Sequence, residues 1–140
     1  MHLGSMVSGS RAIHDMVAKI IMDGVLHRFP KVRLLSVENG SDWLMTLEKR
    51  LRKKANQTPH LFPEHPTDVI RQKVFTTPYA EDDMAALVER IGASNVLFGS
   101  DWPHGESLAD PCSFQDLLAG LSAADTDRIM RGNLSDMIGL

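Results

Sequence analysis

The sequence predicts an α/β fold of parallel strands joined by helices, and three observations carry that prediction. Short apolar runs rich in branched residues, VRLLSV (32–37), KVFTT (73–77) and NVLF (95–98), read as covered strands. They alternate with stretches whose apolar residues recur at helical spacing, the pattern of βαβ units. Each run also ends in polar residues: Glu38 and Asn39, Thr76 and Thr77, Ser100 and Asp101. Reactive groups in parallel α/β architectures collect at the carboxyl ends of strands, so these clusters are expected on one rim.

The elements follow in order. Ile13, Met16, Val17, Ile20, Ile21 and Val25 form one apolar stripe of a helix, with Ser8 or Ser10 as its cap and Gly24 and Pro30 as its end. After the strand at 32–37 and a turn at 38–41, Trp43, Leu44, Leu47 and Leu51 mark a second helix, with Glu48 and Arg52 spaced as an i, i+4 pair. Its basic end, KRLRKK, reads as a solvated face and is given no role. Residues 56–66, with Pro59, Pro63, Pro66, His60 and His65, read as a loop with exposed histidines. A short helix near Asp68 to Gln72 precedes KVFTT, and Met84, Leu87, Val88 and Ile91 mark a further helix with Gly92 as a left-handed C-cap. Ser113 and Ser122, each with an acid three residues on, are expected to cap two C-terminal helical segments.

Composition excludes more than it names. At 140 residues, 43% hydrophobic and 24% charged, the chain reads as a folded soluble protein with one domain over residues 1–140. A formal net charge of −3 gives no field that favours nucleic acid or an anionic membrane as partner. Cys112 is the lone cysteine, which excludes an internal disulfide and suits a reducing compartment, so the cytoplasm is expected. MHLGSMVSGSRAIHD has no basic region followed by an apolar one, and MVAKIIMDGVL is interrupted by Lys19 and Asp23, so neither a secretory signal nor a membrane span is expected.

The stretch NVLFGSDWPHGE (95–106) concentrates the chemistry. An aspartate at the end of a buried parallel strand can be a metal ligand, a general base or the cap of the next helix. Pro103 and Gly105 place a loop after Asp101, which turns the balance from capping toward chemistry. His104 can be a second ligand, a proton shuttle or a surface histidine, and Trp102 a pocket wall or core filler.

VLFGSDWPH resembles the last-strand motif of the amidohydrolase-related family typified by aminocarboxymuconate semialdehyde decarboxylase, which are metal-dependent (β/α)8 barrel enzymes. GVLHRFPKVRLLSVENGSDWL, RIGASNVLFGSDWPH and MRGNLSDMIGL are similar to further segments of that family in the same order, from about Arg11 to Leu140. The resemblance implies that Asp101 contacts a divalent metal, zinc or manganese, and serves as general base on metal-bound water. It implies that His2 matches the fifth-strand histidine ligand, and that Glu38 stands where some relatives carry a sixth-strand histidine acting on substrate. His104, Trp102 and Asn39 are then substrate-binding candidates. The implied activity is attack on a C=O or C–N centre of a small molecule, or the related decarboxylation.

A (β/α)8 barrel needs roughly 250 residues. Through the resemblance, this 140-residue chain is the C-terminal half of a TIM barrel, about strands 5/6 to 8, with a fourth strand stub at MHLGS. The family's first-strand His-x-His pair has no counterpart, so metal binding by this chain alone is expected to be weak or absent. Half a barrel leaves open strand edges, so a homo-oligomer or a missing N-terminal half-barrel is expected as partner. The alternative reading is a catalytically incomplete half-barrel that serves as an oligomerisation or partner-binding module.

Overall fold

The computed structural model describes residues 3–105 and 107–140, with side chains from residue 10 onward. Helix α1 (Leu3–Met22) runs through Ser8 and Ser10, so neither caps it. The strand stub expected at MHLGS is corrected: the backbone is helical from Leu3, and Gly4 and Ser5 offer a strand no branched side chain to pack. His2 lies outside the described residues. Gly24 ends α1 at φ +66, a left-handed conformation that other residues adopt at a cost of about 1 kcal/mol. A single turn, α2 (Val25–Arg28), then leads to strand β1 (Leu34–Ser36).

Helix α3 (Asp42–Gln57) buries Trp43, Leu44, Leu47 and Leu51 against Val17 and Ile21 of α1, as the periodicity of both predicts. The expected Glu48–Arg52 pair forms at 3.4 Å. Glu48 is only 1% exposed, and it also takes a 3.0 Å ion pair from Arg90 and a 3.0 Å hydrogen bond from the Thr67 hydroxyl. A single 3₁₀ turn (Pro59–Leu61) breaks the proline-rich loop. Helix α4 (Pro66–Lys73) starts on Pro66, whose missing N–H costs nothing at a first helical position. His60 is exposed as expected, but His65 is half-buried and its Nδ1 accepts the Thr67 N–H at 3.4 Å.

Strand β2 (Val74–Thr76) leaves α4 directly and pairs with β1 in parallel, with Leu34 opposite Val74, Leu35 opposite Phe75 and Ser36 opposite Thr76. Helix α5 (Met84–Ile91) follows, capped by the Asp83 carboxylate on the Ala86 N–H at 2.9 Å. Gly92 has the positive φ expected, +92, but an extended ψ of 145 instead of a left-handed helical one. The strand expected at NVLF shrinks to one parallel bridge between Val96 and Thr76, with the Leu97 N–H on the Thr76 carbonyl at 3.0 Å. The next donor on the β2 side would be residue 78, a proline with no N–H, and the Phe98 N–H, on the side of the chain away from β2, goes to the Ile129 carbonyl at 2.9 Å. Ile129 lies in a π-helical turn (Arg128–Gly132), where the i→i+5 winding disturbs the ordinary helical pairing.

Two buried asparagines pin this region. The Asn95 amide donates to the carbonyls of Ile70 (3.3 Å) and Val74 (2.9 Å), and the Asn133 amide to those of Ala93 and Val96, each at 2.7 Å. Asp110, not Ser113, caps the 3₁₀ helix Pro111–Leu118: its carboxylate accepts the Cys112 N–H at 2.9 Å, while the Ser113 hydroxyl donates to the Asp110 carbonyl. Ser122 caps α6 (Ala123–Asp127) as predicted: its hydroxyl accepts the Asp125 N–H at 3.1 Å and donates to the Asp125 carboxylate at 2.8 Å. The π turn continues into α7 (Asn133–Ile138).

The architecture is mixed α/β around a small parallel sheet. Its face bearing Ser36, Val74 and Thr76 is buried, whereas Leu35 is 41% exposed and Val37 is exposed beyond it. Among the described residues, no helix is long and apolar enough to cross a membrane.

Candidate active site

The carboxyl ends of β1, β2 and the Val96 bridge do gather polar residues, and two of them have unusual backbones. Among the described residues, Glu38 (φ +58) and Asp101 (φ +51) are the non-glycine residues with positive φ. Such conformations are costly for residues with a Cβ, and they cluster where the surrounding structure imposes a side-chain position. Both carry carboxylates predicted for the site.

Asp101 closes a turn by accepting the His104 N–H on its carbonyl at 2.9 Å, and a second turn brings the Ser107 N–H and hydroxyl onto the His104 carbonyl at 3.1 and 2.7 Å. These turns hold the His104 Nδ1 at 3.0 Å from the Asp101 Oδ1. With a hydrogen on Nδ1, the imidazole leaves Nε2 as an acceptor, so the pair can take and return a proton. The Asp101 side chain is 31% exposed and lines a cleft of about 280 Å³. Pro78, Tyr79, Ala80 and Glu81 form one wall and Ser107, Leu108 and Pro111 the other. Phe98 and Phe114, ring centroids 5.3 Å apart and tilted by 48°, also line it. The cleft is thus largely apolar with a few polar groups, the usual composition of a small-molecule site.

The other candidates fall around this cleft. Trp102 is 65% exposed and is not among the lining residues, so it neither walls the cleft nor fills core. Asn39 spends its amide locally, donating to the Val37 carbonyl at 2.7 Å. Glu38 is exposed on the neighbouring loop, its N–H on the Thr77 hydroxyl at 3.3 Å and its carbonyl accepting the Tyr79 hydroxyl at 2.7 Å. Asp101 and His104 are therefore brought together, while Glu38 meets the cleft wall only through its carbonyl on Tyr79 and Asn39 is not among the lining residues.

Sequence reasoning missed Tyr79 and Asp82. The one signal was Pro78, which breaks the chain directly after KVFTT and so had to start a loop at the same rim.

A catalytic zinc uses three protein ligands. Among the described residues, no three His, Cys, Asp or Glu side chains converge, and the Asp101 carboxylate is already paired with His104. This donor set does not complete a metal centre.

Residues 1–137 match the amidohydrolase family model. The chain belongs to the amidohydrolase family. Its members are generally metal-dependent. A crystal structure of an amidohydrolase from Mycobacterium avium subsp. paratuberculosis K-10 is 46% identical, with a TM-score of 0.90 over 100% of this chain and 36% of its own. A dihydroxybenzoic acid decarboxylase from Polaromonas sp. JS666, with bound manganese and the inhibitor 2-nitroresorcinol, shares 18% identity and a TM-score of 0.73 over 94% of this chain and 41% of its own. A 2,6-dihydroxybenzoate decarboxylase complexed with 2,6-dihydroxybenzoate matches at 18% identity and a TM-score of 0.75, over 94% and 42%. These two share the fold. The chain spans less than half the length of each of the three.

Proposed function

We propose that this amidohydrolase chain carries the Asp101-bearing part of a metal-dependent hydrolase or decarboxylase acting on a small molecule. The observation that carries the reading is the Asp101–His104 pair at 3.0 Å, held by two successive turns beside an apolar cleft. Asp101 accepts a proton at its carboxylate and His104 orients that carboxylate. Glu38 faces solvent on the next rim loop, where it meets substrate as a second carboxylate. His104 and the apolar cleft wall bind the substrate, with amides, lactones and carboxylic acids as the candidate classes.

The donors that Asp101 lacks come, in this reading, from a second segment, an N-terminal half-barrel, together with His2. A relative at 46% identity that devotes only 36% of its length to the region matched here supports that division. Zinc and manganese both suit imidazole and carboxylate donors, and the manganese in the Polaromonas neighbour favours testing the latter first. The free Cys112 is compatible with the cytoplasm as compartment.

The test is metal per chain by inductively coupled plasma mass spectrometry, with mass fixed by light scattering. It is run on the chain alone and after coexpression with the part of the Mycobacterium relative that this chain does not match. About one metal per complex, lost on Asp101→Asn, together with turnover in a panel of amides, lactones and aromatic acids, supports the reading. Metal-free complexes would sink it.

A second reading, a half-barrel that associates without chemistry, is favoured by the exposed face bearing Leu35 and Val37 beside the free edge of β1. It predicts a stable homodimer that Leu35→Lys disperses to monomer in light scattering. A wild-type chain that is monomeric at high concentration argues against it.

A further inference from the structure

The loop carrying Glu38 is held by side chains of residues 76–82, which run into the wall of the Asp101 cleft, and by the Trp43 indole. The Tyr79 hydroxyl donates to the Glu38 carbonyl at 2.7 Å, and the Thr77 hydroxyl accepts the Glu38 N–H at 3.3 Å. Both backbone polar groups of Glu38 are thus engaged by one neighbouring strand end. Behind Tyr79, a single carboxylate oxygen of Asp82 accepts the Ser41 N–H at 2.7 Å and the Tyr79 N–H at 2.9 Å, tying the two rim loops together. Gly40 completes the arrangement: at φ +60, a Cβ there would stand 2.6 Å from the Tyr79 Cδ2. Only glycine both takes that turn and lets the ring lie against it.

We propose that Tyr79 is a positioning residue of this site: its hydroxyl, backed by the Asp82 bridge, holds Glu38 in its left-handed conformation and so fixes where the Glu38 carboxylate leaves the rim. The hydroxyl donates to the Glu38 carbonyl while the Tyr79 ring lines the cleft, so one side chain spans the rim loop and the cleft wall. A glutamate at positive φ relaxes toward negative φ once its restraint is removed, whereas a glycine at the same position does not. The proposal rests on the reading of Glu38 as a rim carboxylate that meets substrate, but the strap itself is measurable without substrate.

The test is nuclear magnetic resonance of the labelled chain, reading the amide shifts of residues 38–40, the one-bond Cα–Hα coupling of residue 38, which separates positive from negative φ, and the Trp43 indole N–H. That indole donates to the Gly40 carbonyl at 3.0 Å and reports on the same loop. In Tyr79→Phe, residue 38 is expected to lose its positive-φ coupling and the Trp43 indole signal to shift, while the Ser100 and Asp101 amides stay in place because the ring still walls the cleft. Adding Glu38→Gly to Tyr79→Phe is expected to restore the indole position and the amide shifts of residues 39 and 40, and adding Glu38→Ala is not. A positive-φ coupling at Glu38 that survives Tyr79→Phe overturns the proposal, as does equal rescue by Gly and Ala.

If Tyr79→Phe fails to fold, Asp82→Ala replaces it. That variant frees both bridged N–H groups, and an unchanged Glu38 there overturns the proposal equally. A strap that behaves as stated in a protein that never shows turnover or metal uptake faults the enzymatic reading alone. A metal-loaded, active protein whose Glu38 ignores Tyr79 faults only the strap.

Discussion

The Asp101 Oδ1 and the His104 Nδ1 stand 3.0 Å apart within a turn closed by the His104 N–H on the Asp101 carbonyl. The imidazole is 69% exposed, so the pair orients a carboxylate and does not stabilise the fold. His104→Ala is expected to change unfolding free energy by less than about 1 kcal/mol, the range of exposed ion pairs. A urea titration showing a loss of several kcal/mol would mean that His104 is structural.

The positive φ at Glu38 and Asp101 gives a prediction about substitutions. Glycine is expected to be better tolerated than alanine at each position, by about 1 kcal/mol, because only alanine meets the left-handed penalty. Elsewhere in regular structure the order is reversed. Equal stability of the Gly and Ala variants in thermal melts would show that these backbones relax freely.

Asn133 ties the C-terminal helix to the end of the last strand segment through two 2.7 Å bonds, to the Ala93 and Val96 carbonyls. Asn133→Ala leaves both buried carbonyls without that partner, at an expected cost of about 2 to 3 kcal/mol. Asn133→Asp is expected to cost at least as much, since a carboxylate cannot donate. Hydrogen exchange should then quicken at Phe98 and Leu97, where that end of the sheet opens first.

Glu48, 1% exposed, is satisfied by Arg90, Thr67 and Arg52. Arg90→Met removes its shorter ion pair and strands a buried carboxylate, with an expected loss of about 3 kcal/mol. Replacing both groups, Glu48→Met with Arg90→Met, should recover much of that loss. A double variant no better than the single one would place the cost in packing and not in the unpaired charge.

What was legible beforehand was periodic or local. The stripe through Val17 and Ile21, the Trp43–Leu51 face of α3, the Ser122–Asp125 cap and the turn at Gly24 depend on neighbours within a few residues, so the chain itself specifies them. The cap at Asp110 was misread onto Ser113 because both are good capping residues, and only the loop from Gly105 decides which N–H groups are free. Helical spacing began at Ile13 in the sequence, yet the helix starts at Leu3, because a weakly patterned segment can extend a helix already formed.

The sequence by itself determined the succession of helices and strands, the family motif around Asp101, and the placing of polar residues at the ends of three apolar runs. Tertiary structure decided the rest. It set NVLF beside a strand end whose next residue, Pro78, has no N–H to extend the ladder, and it gave the outward Phe98 N–H to a distant carbonyl at Ile129, so NVLF keeps one bridge. It also brought Tyr79 and Asp82 across to Glu38 and Ser41, some forty residues away in the chain. Such bonds have no local signature, since a hydroxyl or carboxylate in a loop finds its partner only when parallel strands set two loops side by side.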